Sequence, residues 1–189
     1  MKIGLAVGHS RKGDEGAMTS RESGYSISEW QFNCDLVRRI LPGLQVDYEI
    51  YDDYVASSYV GEINYLSRKL TKDNVDAVIE FHFNSAGPTA EGHEWLYWHT
   101  SKEGARLAYA LRDEMQVTYP EMKSRGAKPR AQKQRGSYAI RKTPVPCVLA
   151  ETFFGSNCGE WQKINNNRGK LAGVFARAIN KFADGFFFF

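Results

Sequence analysis

The sequence predicts an α/β fold: one domain with a twisted, mostly parallel or mixed central sheet of about six strands and helices on both faces. Three observations predict it. Short apolar runs of strand length recur along the chain, at Ile3-Gly4-Leu5-Ala6-Val7, Ala77-Val78-Ile79-Glu80-Phe81 and Val145-Pro146-Cys147-Val148-Leu149-Ala150. Between them lie longer stretches with apolar residues at helical spacing. Each run also breaks off on a side chain capable of chemistry: His9 behind Gly8, His82, and Glu151. Continuous apolar runs are what strands buried on both faces look like. In open α/β sheets, ligands bind outside the carboxyl ends of such strands.

The elements follow in order. After the first run, residues 10–28 are polar and rich in Gly and Ser, and they read as a long loop over a site. Ser28 with Gln31 has the form of a capping box, so a helix starts at Glu29. Phe32, Leu36, Val37, Ile40 and Leu41 give its apolar face, and Pro42-Gly43 stops it. Val46 to Ile50 alternates as a strand, and Ser58 to Leu70 reads as a helix with Ile63, Leu66 and Leu70 inward. The strand ending at His82 follows. Gly92 then leads a further strand, with Glu94, Leu96 and Trp98 on one face and His93, Trp95 and Tyr97 on the other. Residues 102–117 read as a helix. Residues 119–137, dense in Lys and Arg with Pro120 and Pro129, read as a flexible basic loop. After the strand ending at Glu151, residues 160–182 read as one long terminal helix. Residues 1–185 form the expected domain, and Phe186–Phe189 a phenylalanine tail.

A chain of 189 residues can bury a core without staples. Its net charge of +3 suits an anionic polymer but is too small to argue for nucleic acid. Cys34, Cys147 and Cys158 form no CxxC pair and read as free thiols. No stretch reaches the ~20 apolar residues of a membrane span, and the N-terminal run is too short for a signal-peptide core. Synthesis in the cytoplasm as a monomer is the expectation.

Two imidazoles and a carboxylate reaching one sheet edge point to a hydrolytic metal site, in which three protein ligands leave one position open. His9 and His82 supply two ligands. Glu29, in the first turn of its helix, is the best-placed third, with Glu22 in the preceding loop as competitor. Glu151 is then the general base.

These residues sit in motifs that resemble the zinc-dependent N-acetylmuramoyl-L-alanine amidases of type 3, a cell-wall amidase family. Gly8-His9 with Asp14-Glu15-Gly16-Ala17 is similar to the family's opening signature. Glu29-Trp30-Gln31-Phe32-Asn33 resembles its second motif, and Phe81-His82-Phe83-Asn84-Ser85 its third. Gly92 to Trp98 is similar to its glycine-led strand. Ile140-Arg141 through Glu151, then Gly155-Ser156-Asn157, resembles its final motif. The resemblance implies Zn2+ on His9, Glu29 and His82, with Glu29 preferred to Glu22 because Asn33 stands where the motif has it. It implies Glu151 as acid/base and Arg141 as a substrate or oxyanion contact. The implied reaction is hydrolysis of the amide between N-acetylmuramic acid and L-alanine in peptidoglycan. The chain departs from the family in having Ala6-Val7 before Gly8-His9, Ser10-Arg11 after them, and Glu80 where a small residue is common. Glu80 shares a strand face with His82 and is expected to orient its imidazole. His93 and His99 are not expected to ligate.

No long helical insert interrupts residues 85–150, so an open active site is expected. Without an export signal, the implied setting is a phage lysis enzyme that reaches the wall after holin-mediated release. The competing readings are a zinc carboxypeptidase acting on stem peptides and a non-catalytic wall-binding module.

Overall fold

Six strands, β1 (Lys2–Val7), β2 (Asp47–Tyr51), β3 (Ala77–Asn84), β4 (His93–Trp98), β5 (Ser124–Arg130) and β6 (Cys147–Phe154), form one sheet in the order β2-β1-β3-β6-β4-β5. All neighbours pair in parallel except β4 with β6, so the sheet is mixed and mostly parallel. This computed structural model describes residues 1–11, 13–53 and 58–185, so the phenylalanine tail lies outside the described residues. The helices are α1 (Glu29–Ile40), α2 (Tyr59–Lys72), α3 (Lys102–Thr118), α4 (Ser137–Lys142), α5 (Cys158–Asn165) and α6 (Arg168–Asp184).

Side-chain parity splits the core. Ile79, Phe81 and Phe83 of β3, Ile3, Leu5 and Val7 of β1, and Trp95 and Tyr97 of β4 enter the larger cluster, packed with α1, α3 and α6. Val78 of β3, Ala6 of β1 and Leu149 of β6 enter the smaller cluster, which Leu66, Leu70 and Ile140 close from α2 and α4. The β3 residues that alternate with the larger cluster include Glu80 and His82, and both are buried. Only α2 and the short α4 cover this second face, and a cleft lies there at the carboxyl ends of β1, β3 and β6.

Local signals set most boundaries. Ser28 Oγ accepts from Gln31 N at 3.2 Å and Gln31 Oε1 accepts from Ser28 N at 3.2 Å, so the expected capping box starts α1 at Glu29. Elsewhere the structure corrects the sequence reading. Residues 124–130, read as loop, form edge strand β5 beside β4. An edge strand tolerates the charges and the missing N–H of Pro129, and that composition masked it. Residues 137–142, which the sequence reading left without an element, form α4. The single terminal helix is two: Asn166 ends α5, and Asn167 caps α6 by accepting from Lys170 N at 3.0 Å. Strands β3 and β6 also run past His82 and Glu151, to Asn84 and Phe154, with a bulge between His82 and Asn84.

Candidate active site

Three elements bring the site together. Glu29 is fixed at the first turn of α1, where Ala17 N at 3.2 Å and Phe83 N at 3.0 Å donate to its two carboxylate oxygens. His82 points its Nδ1 at Glu29 Oε1, 2.9 Å away, and its Nε2 at Glu80 Oε1, 3.1 Å away. His9 follows β1 in left-handed backbone, with φ of 67°. Histidine adopts that conformation more often than most residues, but it still carries strain of the kind found where a functional side chain is held in place. Its Nε2 lies 3.3 Å from Glu29 Oε2 and its Nδ1 3.3 Å from Asp14 Oδ2. The two imidazole rings meet edge to face with centroids 5.0 Å apart.

The backbone leaves space for this packing only through glycine. A Cβ on Gly8 would sit 2.2 Å from Cε1 of His82, and one on Gly16 would sit 2.6 Å from Cδ2 of His9. Gly16 also takes a φ of 77°, which favours glycine on its own account.

Electrostatics follow from burial and pairing. Burial opposes charge on Glu29, but the hydrogen bonds with His82 and His9 outweigh it and hold the carboxyl at about 2. Burial likewise opposes a proton on His82, and the bonds to Glu29 and Glu80 overcome it, leaving its pKa well above the usual histidine value. The donor atoms of His9, Glu29 and His82 all lie within 4.8 Å of one another. Two imidazoles and one carboxylate at that spacing, on a largely buried floor, fit a zinc ion.

Glu151 stands beside His82 in the register of β3 and β6, on the same face. Burial is the main cause that lifts its carboxyl to about 7, and its Oε2 has no hydrogen-bond partner among the described residues. His82 beside it and Arg135, whose Nη2 lies 3.8 Å from Glu151 Oε1, pull the other way without overcoming burial. Glu94 follows in the same row, opposite Glu151 on β4. Lys128, Arg125 and the Asn84 amide hold Glu94 ionised against the pull of burial. Adjacent carboxyls thus differ in proton affinity, and only Glu151 is poised to gain and lose a proton near neutrality.

His9, Glu29, His82, Phe83, Arg135 and Glu151 line one cleft of about 450 Å³. The structure thus brings together four of the sequence-predicted residues, His9, Glu29, His82 and Glu151. It places Arg141 elsewhere, exposed in an adjoining hollow. Glu22 lies in an exposed turn over residues 21–23, outside the cleft. His93 is committed to the other face of the sheet, where its Nδ1 accepts from Trp95 Nε1 at 3.0 Å. His99 is exposed beside Trp98. Sequence reasoning missed Arg135, the cation nearest Glu151, because nothing in the spacing of the basic segment separates it from its neighbours.

The N-acetylmuramoyl-L-alanine amidase family profile matches residues 3–181, nearly the whole chain. The chain belongs to that family. Solved structures agree on the fold. The CwlD amidase from Clostridioides difficile, solved with the GerS lipoprotein, superposes with a TM-score of 0.82 at 19% identity, covering 97% of this chain and 98% of that one. AmiC2 of Nostoc punctiforme gives 0.78 at 21% identity, with 97% of each chain covered. The catalytic domain of the CD27L endolysin targeting Clostridia difficile gives 0.74 at 23% identity, covering 96% of this chain and 97% of that one. Direct comparison with curated protein sequences gives no match. Membership makes the protein an N-acetylmuramoyl-L-alanine amidase acting on peptidoglycan. It also sets aside the stem-peptidase and non-catalytic readings. Among the described residues, no helix of this amidase is long and apolar enough to cross a membrane.

Proposed function

We propose that this amidase is a zinc hydrolase in which His9, Glu29 and His82 hold the metal and Glu151 is the general acid and base. One observation carries the reading: a His-Glu-His set within 4.8 Å opens into the same cleft as a buried carboxyl at about 7. Zinc in such a set acidifies water and polarises a carbonyl oxygen. Glu151 takes the proton from the attacking water and returns it to the leaving amine of L-alanine, a double task suited to a pKa near the working pH. Among the described residues its Oε2 has no hydrogen-bond partner, which leaves that oxygen open to the water. Glu29, anchored by two backbone N–H groups, holds its carboxylate still for the metal. His82 would hold the metal on its Glu29-facing side while Nε2 faces Glu80, so that Glu80 would fix both tautomer and ring orientation.

Glu80→Gln is expected to lower zinc affinity 10- to 100-fold, read by competition with a chromophoric chelator. An unchanged affinity would remove Glu80 from this role.

The reaction itself is tested on purified peptidoglycan sacculi. Mass spectrometry should find free lactyl groups on the glycan and stem peptides intact from L-alanine onward, from protein holding about one zinc per chain. Chelation should stop the release and added zinc restore it. Full activity after thorough chelation would sink the zinc assignment, and cuts only within the stem peptide would sink the assigned bond. We extend the reading to a setting: a lysis enzyme, as in phages, that leaves the cytoplasm through a separate holin. The likeness to an endolysin catalytic domain supports it. Cells expressing the enzyme should lyse when a holin is co-expressed, and lysis without one would contradict it.

A further inference from the structure

A second hollow, of about 400 Å³, adjoins the cleft. Gln132, Lys133, Gln134, Tyr138 and Arg141 line it, and Tyr59 and Gly136 belong to both walls, so the two spaces are contiguous. We propose that this hollow is a subsite for a free carboxylate of the stem peptide, recognised by Lys133 and Arg141. The proposal rests on the amidase reading and adds to it the feature of the substrate that is selected.

Charge is the first argument. None of the residues lining the hollow is acidic. Among the described residues, neither Lys133 nor Arg141 has a carboxylate within ion-pair distance, whereas Lys128 and Arg125 are spent on Glu94 and Arg135 leans toward Glu151. Two cations kept without internal partners beside a catalytic cleft leave an anion-binding surface available.

Backbone conformation is the second. Among the described residues, three that are not glycine take left-handed backbone: His9, Asn74 and Lys133. Asparagine adopts it readily, and His9 belongs to the candidate metal set. Lysine has no such preference, yet Lys133 sits at a φ of 72°. The surrounding turn enforces it: Ala131 N donates to Gln134 Oε1 at 2.7 Å, and Ser137 N donates to Gln134 O at 3.0 Å. Strain of this kind persists where the surrounding structure over-determines it, commonly at ligand sites.

Substrate chemistry is the third. The glycan of peptidoglycan is uncharged near the scissile bond, and its carboxylates lie on the peptide. The residue after L-alanine begins roughly 4–7 Å beyond the scissile amide, at ~3.5 Å per extended residue. The hollow shares a wall, Tyr59 and Gly136, with the cleft. A cationic hollow there selects the peptide side rather than the sugar.

The test uses two synthetic muropeptides that differ only in the residue after L-alanine, whose free carboxylate is kept in one and converted to a carboxamide in the other. The zinc-loaded wild type is expected to favour the acid about tenfold or more in kcat/KM, mostly through KM. Lys133→Asn keeps a residue that accepts left-handed backbone and removes the cation; combined with Arg141→Gln it should bring the ratio close to 1. Both positions are exposed, and each single variant is read by the same ratio, so the result does not depend on the double variant folding. Lys133→Arg should retain the preference. Equal turnover of acid and amide by the wild type, or a preference that survives both substitutions, would overturn the subsite alone. Cleavage of neither would overturn the amidase reading and this proposal with it.

Discussion

Glu151→Gln is expected to cost roughly 10³-fold in turnover while making the metal-free protein more stable above neutral pH. The catalytic loss follows from removing the one carboxyl, among the described residues of the cleft, that burial poises to exchange a proton near neutrality, a task usually worth ~10²–10⁴. The stability gain follows from the same burial. Glu151 moves from an ordinary 4.5 to about 7 on folding. Between those values the folded protein keeps the proton that the unfolded chain has lost, so stability falls as pH rises across the window. Above about 7 the cost is complete, at roughly 3 kcal/mol for a shift of this size. Urea melts of metal-free wild type and variant should therefore differ by about that amount at pH 8 and by little near pH 4.5. A constant difference at both pH values would mean that the Glu151 carboxyl is not what the fold is holding against its preference.

The second large effect belongs to Glu29. Its carboxylate engages His82, His9, Ala17 N and Phe83 N together. Glu29→Ala should abolish zinc uptake and hydrolysis and also destabilise the fold by about 3–5 kcal/mol, because a buried imidazole and two N–H groups lose their partner. The pH signature is opposite to that of Glu151. With its folded pKa depressed to about 2, Glu29 contributes its stability fully above about 4.5, and the contribution disappears as pH falls through about 2. The His82 shift reports the same interaction and is not added to it. Metal analysis and urea melts at pH 7 and pH 3 check the prediction. A variant that binds zinc normally, or that loses no stability at pH 7, would contradict this account of the site.

Much of this was legible before any coordinates. The apolar runs at residues 3–7 and 77–81 are strands β1 and β3, because a strand covered on both faces is mostly apolar, Glu80 being the exception that serves the site. The α1 start was legible because the Ser28–Gln31 capping box is local chemistry. Strand β5 was not. It is stabilised by pairing with β4, while its own residues are largely polar and only partly buried. The break before α6 was hidden because Asn167 turns from helix interior to cap only when its side chain accepts from Lys170 N. Arg141 was read as a substrate or oxyanion contact through its place in a motif; α4 carries it into the hollow adjoining the cleft, and Arg135 stands nearer Glu151.

The sequence by itself determined the α/β class, the strands that carry His9, His82 and Glu151, and the helix start that carries Glu29. These follow from periodicity, capping and spacing, which act over a few residues and are written along the chain. Tertiary structure alone decided the rest. It set His82 between Glu29 and Glu80, placed Glu151 where burial lifts its proton affinity, and left Lys133 and Arg141 without a carboxylate partner among the described residues beside the cleft. Those properties depend on what lies across the sheet and on how much water reaches the site. Neither is a property of any short stretch of chain.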